Sequence, residues 1–511
     1  MIEREADVVI IGSGAGGGTV AQALGALSRA GRRVVVLEQG PRFRDDEFTG
    51  DEARMARALY HDAGGFLSAD GTMTLAFAHA YGGTTVVYTG TSIIAPERVI
   101  KRWDVPGLTH ADVVRRSATY LAENHAHFLE PGEINDNNRL FAEGCATAGY
   151  RAESFPVNTR GCRGSSLCNL GCPNAAKQGT NRVQLPRAEK SGVQVVTRAE
   201  VLRIEQCAVV VRTSEKAEGD LGAPSEWAPG EYRVSAPIIV VAAGSIGSPS
   251  LLLRSPAIAD RLPKLGHGFT CHPAHILVAE HEKPITNDVG FPKTYLVDRA
   301  EEEGFVLETC MYFPFTTAKN LTGFGAAHSA LMRAFPRLQM ILVLACDRAI
   351  PENRVAIDKA GRPVVHYRFT PEVVESFVKA TRAAARIFFA AGARRVHAPE
   401  ADPPLLERAE RARLDERISV RHFALGRVSI SAAHLMGGCG MGRRATDSVT
   451  DAWGRVHGIP WLRVADASLF PDSLEINPYI TVMALADRVA DGVLDDAAAL
   501  FRSAPHEGAV A

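Results

Sequence analysis

An apolar run, Val8-Val9-Ile10-Ile11, stops abruptly at Gly12-Ser13-Gly14-Ala15-Gly16-Gly17, and a helical pattern follows from Thr19 to Leu27. This order reads as strand, glycine turn and helix. After Gly31-Arg32-Arg33 a second apolar strand, Val34-Val35-Val36-Leu37, ends in Glu38 and completes a βαβ unit of about thirty residues. Parallel strands joined in this way are buried on both faces, so the chain has to build a covered parallel sheet. Closely spaced glycines permit the tight turn and let backbone N–H groups approach a pyrophosphate at the helix N-terminus. A carboxylate closing the second strand can accept hydrogen bonds from ribose hydroxyls. Gly12, Ser13, Gly14, Ala15, Gly17 and Glu38 are therefore candidate dinucleotide-binding residues. The fingerprint alone suits NAD as well as the adenosine half of FAD.

The 511 residues exceed the size at which one hydrophobic core stops growing, so two lobes sharing an interface are expected. A formal net charge of −1 supplies no electrostatic attraction to nucleic acid. The N-terminus is acidic and runs straight into a strand, unlike a basic secretory leader. Charge or glycine breaks every apolar stretch before it reaches membrane-spanning length. The expectation is a chain without a transmembrane segment, located in the cytoplasm. Nine cysteines are too few and too unevenly placed for a disulfide scaffold.

Further along, Thr197 to Arg212 alternates like a strand, and Ile238-Ile239-Val240-Val241-Ala242-Ala243-Gly244 reads as a buried strand ending at another glycine turn. Longer alternating strands and an alanine-rich helix around Val373 to Ala391 mark a separate lobe between about Gly290 and Leu425. From Ala433 onward a glycine-rich loop, the strand Leu462-Arg463-Val464 and an apolar helix from Ile480 to Leu494 return to the first lobe.

Several separated segments resemble the glucose-methanol-choline (GMC) oxidoreductases, a family of flavoenzymes. The opening unit through Glu38-Gln39-Gly40 is similar to the family's adenosine site, and Tyr81-Gly82-Gly83-Thr84-Thr85 to its second glycine turn, which lies against the flavin. Ala242 to Pro249 resembles an internal signature. His434-Leu435-Met436-Gly437-Gly438-Cys439, Val464-Ala465-Asp466-Ala467-Ser468 and Asn477-Pro478-Tyr479-Ile480-Thr481 resemble the C-terminal block. Where many members carry asparagine after the second glycine turn, this chain has Tyr88.

The resemblance implies an α/β chain with a Rossmann-like FAD-binding domain and a second α+β substrate-binding domain built on an antiparallel sheet. Residues 1–289 and 426–511 would form the first and 290–425 the second. FAD would be held by the residues above together with Gln39, Gly82, Gly83, Thr84, Val201, Ala243, Asp466, Ala467, Asn477 and Pro478. Asparagine followed by proline also suits a helix entrance, and such an N-terminus favours negative charge on a flavin. Abstraction of a hydroxyl proton suits an imidazole, and the family's base falls at His434, with Asn477 as its partner on the substrate oxygen. His79, His272 and His275 are weaker candidates for the active-site wall. Tyr312, Phe313 and Phe315 are candidates for an apolar pocket, with core packing the commoner use of such residues.

Cys162, Cys168 and Cys172 lie in one short loop, the last followed by Pro173, and thiolates in such an array ligate iron–sulfur clusters. The spacing resembles that of bacterial FAD-dependent sugar dehydrogenases, which implies a cluster; packed, inert thiols are the alternative. Zinc would require a fourth ligand, for which Cys145 is the nearest cysteine in sequence. The leading expectation is oxidation of a small-molecule alcohol with electrons passed to an acceptor protein or quinone. A peroxide-forming oxidase of a hydrophobic alcohol or sterol, and a flavin-binding protein without turnover, are the rivals.

Overall fold

The computed structural model describes residues 1–287, 289–321, 323–397, 405–423 and 427–502. Its first lobe is built on a five-stranded parallel sheet in the order Leu462–Val464, Ile238–Val241, Val8–Ile11, Val34–Leu37, Gln194–Val196. The strands are short and wholly apolar apart from Arg463 and Gln194, as a sheet covered on both faces requires. Their register places Ile11 beside Leu37 and Val241, and Val241 beside Val464. Neighbouring strands therefore stop at one level, and the residues that follow them, Gly12, Glu38, Ala242 and Ala465, form a row. The ladder runs one step further, with Gly12 N donating to Leu37 O at 2.8 Å, Ala242 N to Ile11 O at 2.7 Å and Ala465 N to Val241 O at 2.8 Å.

The helix Ala15–Ala23 packs beneath the long C-terminal helix Tyr479–Arg502. Beside the parallel sheet a four-stranded sheet carries Ala199–Glu205 and Ala208–Thr213 as an antiparallel hairpin. The segment expected to form one strand from Thr197 to Arg212 is thus folded back at Gln206-Cys207, where Cys207 adopts φ 49°. Alternation is the same in one strand or two, so the turn left no mark on it.

The second lobe is a nine-stranded sheet on which the helix Pro371–Ala390 packs. Its pairings are antiparallel except for Ile430–Ala432, which runs parallel to Met73–Leu75. Ala274–Glu280, central in this sheet, and the edge strands Met73–Leu75 and Glu153–Ser154 all precede residue 290. The expected boundary is therefore too late, and the lobe draws strands from both sides of the 290–425 segment, because an antiparallel sheet accepts short strands from distant loops. Among the described residues no helix is long and apolar enough to cross a membrane.

Arg463 is 1% exposed inside a strand of the parallel sheet. Its guanidinium donates to Asp496 at 2.7 and 3.0 Å, to Trp453 O at 2.8 Å and to Gly492 O at 2.9 Å, tying the edge strand to the C-terminal helix. Removing one partner leaves a buried charge uncompensated. Asp496→Ala is expected to destabilise the protein by about 3 kcal/mol in denaturant unfolding; a change below about 0.5 kcal/mol, within the ordinary range of surface substitutions, would refute this role.

Candidate active site

At the end of the first strand Gly12 adopts φ +96°, and a Cβ there would lie 2.4 Å from Ala242 O. A Cβ at Gly16 would lie 1.7 Å from Ala465 O. These two glycines let the turn and the helix N-terminus settle against the neighbouring strand ends. Gly14 occupies the N-cap without a side chain to cap the helix, which leaves first-turn N–H groups available to an anion. Glu38 is 4% exposed. Its carboxylate accepts from Ser13 N at 2.9 Å, Ser13 Oγ at 2.6 Å and Gly40 N at 2.8 Å. Burial nevertheless outweighs these donors and raises its pKa. A carboxylate offers about four lone-pair positions, so capacity for a ribose hydroxyl remains.

Ser13 links the two glycine turns, since its Oγ also accepts from Gly82 N at 2.9 Å. Thr180, which sequence reasoning missed, completes the link by donating to Ser13 O at 3.2 Å and Gly82 O at 3.1 Å. Gly82 and Gly83 both have positive φ, and a Cβ on Gly83 would lie 2.7 Å from Gly14 Cα. Thr84 Oγ1 accepts from Ala78 N at 3.2 Å. Ala199 N donates to Glu38 O at 2.8 Å, which starts the strand carrying Val201 beside the nucleotide loop. Gln39 is exposed.

Asp466 is consumed by the scaffold. Its carboxylate accepts from Gly244 N at 2.8 Å, Ser248 Oγ at 2.5 Å and Ser468 N at 2.8 Å, so it caps the helix Gly244–Leu253 that follows Ala243. Burial raises its pKa over the pull of those donors. Ala467 O accepts from Gly437 N at 3.0 Å, which docks the histidine loop on the same row of strand ends. Gly437 and Gly438 have φ +78° and +104°, and Cβ atoms there would meet Gly268 O at 2.1 Å and Pro249 Cγ at 2.9 Å. Ser245 Oγ holds Leu435 O at 2.8 Å, and Met436 exchanges two backbone hydrogen bonds with Thr270.

This clamp presents His434 to Asn477, with Nε2 3.0 Å from the Asn477 amide nitrogen. Asn477 does not cap the helix as expected: Pro478 immediately precedes the first helical residue, the Asn477 amide nitrogen contacts His434, and its Oδ1 accepts from no helix N–H. Asn477 Oδ1 and Thr481 Oγ1 are buried without a partner at this helix N-terminus. Orphaned groups there, an uncapped helix over a glycine turn, and Glu38 at the second strand end are chemically suited to FAD. Tyr88 lies edge-on to Tyr479 at 4.8 Å and hydrogen-bonds Asn158.

Burial, with a smaller contribution from Lys293, lowers the His434 pKa to about 3. Its Nδ1 is 3.2 Å from Nδ1 of His272, whose Nε2 lies 2.8 Å from Ser473 Oγ and accepts from Glu475 N at 2.9 Å. Glu475, which no sequence signal marked, holds a left-handed backbone at φ 69°. Its buried carboxylate pairs with Arg98 at 3.0 Å, Arg102 at 2.8 Å and Arg348 at 2.6 Å. Burial alone would raise its pKa, but the three arginines hold it low. Of the weaker histidine candidates only His272 reaches the site. His275 bonds Thr381 at 2.9 Å in the core of the second lobe, and His79 packs against His61. Tyr312, Phe313 and Phe315 do not line the cavity beside His434; Phe315 is 53% exposed, and the other two join apolar clusters elsewhere.

In the cysteine loop the three thiols lie within electrostatic reach of one another, Cys162 beside Cys172 and Cys168 beside both. Among the described residues no group of three or more histidine, cysteine or acidic side chains is arranged to hold a metal ion. Cys168 is 8% exposed and packs with Phe155, Val157 and Phe291, with Cys162 against the same cluster. Burial pushes the Cys168 thiol up to about 12. Gly290 N donates to Gly164 O at 2.7 Å, tethering this stretch to the second lobe, and Cys145 is in that lobe's core.

Models of the GMC oxidoreductase N-terminal and C-terminal domains match residues 56–274 and 350–486. An uncharacterised GMC-type oxidoreductase of Mycobacterium tuberculosis is 32% identical over 95% of this chain and 75% of its own length. A long-chain-alcohol oxidase of Arabidopsis thaliana is 25% identical over 96% of this chain and 67% of its own. Among solved structures, pyridoxine 4-oxidase from Mesorbium loti superposes with a TM-score of 0.70 at 18% identity, covering 96% of this chain and 99% of that one. The chain belongs to the GMC oxidoreductases, a family of FAD-binding flavoproteins.

Proposed function

We propose that the protein oxidises an alcohol to the carbonyl, with His434 receiving the hydroxyl proton and Asn477 holding the substrate oxygen. The observation that carries this reading is the 3.0 Å contact between His434 Nε2 and Asn477, set beside unpartnered polar atoms at the helix N-terminus. FAD, held by the nucleotide loop, Glu38 and that N-terminus, would supply the hydride acceptor. Burial keeps His434 free of its extra proton at neutral pH, so it is ready to act as a base. Receiving the proton on Nε2 requires the ring's own proton on Nδ1, toward His272. His272 would then carry its proton on Nε2, toward Ser473 Oγ, in place of the lone pair that Glu475 N meets in the resting structure. The amide of Asn477 supports negative charge developing on the substrate oxygen.

Transfer of electrons to an acceptor other than oxygen drew its support from the cysteine loop, where among the described residues no group of three or more side chains is arranged to hold a metal ion. Of the three proteins named above, the Arabidopsis thaliana enzyme and the Mesorbium loti enzyme are oxidases. We therefore favour the second reading of the acceptor, in which oxygen takes the electrons and peroxide is released. Peroxide measured against dye reduction on one alcohol panel decides between them.

Glu38→Ala is expected to weaken FAD retention by about 1.5–3 kcal/mol, the worth of hydrogen bonds to a charged group; full flavin occupancy after dilution and gel filtration would contradict the assignment. His434→Ala should keep bound flavin but slow its anaerobic reduction by ~100-fold or more, and a rate within about twofold of wild type would remove His434 as base. The base works when neutral, and its folded pKa is about 3, so the proton that silences it binds only in strong acid. Flavin reduction at low alcohol concentration should accordingly be flat from about pH 8 to about pH 5; loss of rate with a midpoint near 6.5, the ordinary imidazole value, would contradict the burial argument.

A further inference from the structure

The cavity beside His434 and Asn477 holds about 10 Å³, room for roughly one water molecule. Its apolar walls include Leu296, Val306 and Leu344, and it has a charged wall residue that the proposed chemistry does not use, Glu308. Strand alternation puts it there. Phe305 and Leu307 face the core under the helix Pro371–Ala390, which leaves Val306 and Glu308 on the opposite, cavity-facing side of Phe305–Thr309. Glu308 is 2% exposed, and among the described residues its ion pair is with Lys293, itself 6% exposed.

A buried ion pair is often replaceable by apolar residues at no cost in stability, so its presence in this wall calls for another reason. The other carboxylate of the wall, Glu475, is already held by three arginines. Glu308 has a single cation and keeps acceptor capacity toward the cavity. Lys293 offsets its charge, so the wall suits a neutral hydrogen-bond donor better than an ammonium group.

We propose that Glu308 determines specificity by accepting a hydrogen bond from a second hydroxyl on the substrate, close to the carbon being oxidised. The preferred substrates are then polyhydric alcohols rather than plain alkanols. This inference rests on the alcohol-oxidising reading above. The pair can be removed together, as Glu308→Leu with Lys293→Met, so that no charge is stranded, and Glu308→Gln serves as the milder variant. Holoenzyme of each is compared with wild type on 1,2-diols, 1-alkanols and amino alcohols of equal length.

In wild type the diol should have the highest kcat/KM. In the double variant the diol-to-alkanol ratio should fall at least tenfold, mainly through KM for the diol. An unchanged ratio in folded, flavin-loaded variants would overturn the proposal. So would a wild-type preference for amino alcohols that disappears with Glu308, because that result assigns a cation to the site. If no alcohol of any kind reduces the wild-type flavin, the alcohol-oxidising reading fails, and the role of Glu308 falls with it.

Discussion

The site depends on parallel strands that end at one level. Hydrogen bonds continue one residue past the strands, from Gly12 to Leu37, Ala242 to Ile11 and Ala465 to Val241. They hold the nucleotide loop, the internal glycine turn and the C-terminal block in one row. Backbone must approach backbone so closely there that a Cβ at Gly16 would fall 1.7 Å from a carbonyl oxygen. Three elements of the proposed cofactor site hang from this row: Glu38 ends one strand, Asp466 caps the helix after another, and Ala467 receives the histidine loop.

A second constraint orients the proposed catalytic pair. Glu475 sits in a left-handed conformation that costs a non-glycine residue of order 1–3 kcal/mol. Its three arginines come from the helix Glu97–Trp103 and from the stretch after the strand Leu338–Ala345, so contacts from both lobes hold the turn. From that turn the backbone N–H reaches His272, and two residues later Asn477 reaches His434. The ion cluster is thereby coupled to the geometry of the reacting groups, although none of its arginines lines the cavity.

The nucleotide half was legible because its determinants are local: continuous apolar runs, glycines in a turn and an acid at a strand end. His434 and Asn477 were legible only through their motifs, and the structure brings them together. Glu475, Thr180 and Glu308 were not legible. Each acts through partners distant in sequence, and a single glutamate in a loop or strand looks the same whether it meets solvent or three arginines. The lobe boundary near 290 was misplaced for a similar reason, since Met73–Leu75 and Glu153–Ser154 carry no local sign of the sheet they join. Clustering of three cysteines in sequence left shared ligation and packed thiols as alternatives, and the fold packs Cys162 and Cys168 against the second lobe with the three thiols still close to one another.

The central claim is that the strand-end row, the pair His434–Asn477 and the helix N-terminus at Tyr479 form one alcohol-oxidising flavin site. The visible spectrum of the purified protein, followed during anaerobic addition of alcohols, tests it most directly. The account predicts an oxidised-flavin band that bleaches with an alcohol substrate and returns when air is admitted. A protein that binds no flavin, or whose bound flavin stays oxidised in the presence of every class of alcohol, would contradict it.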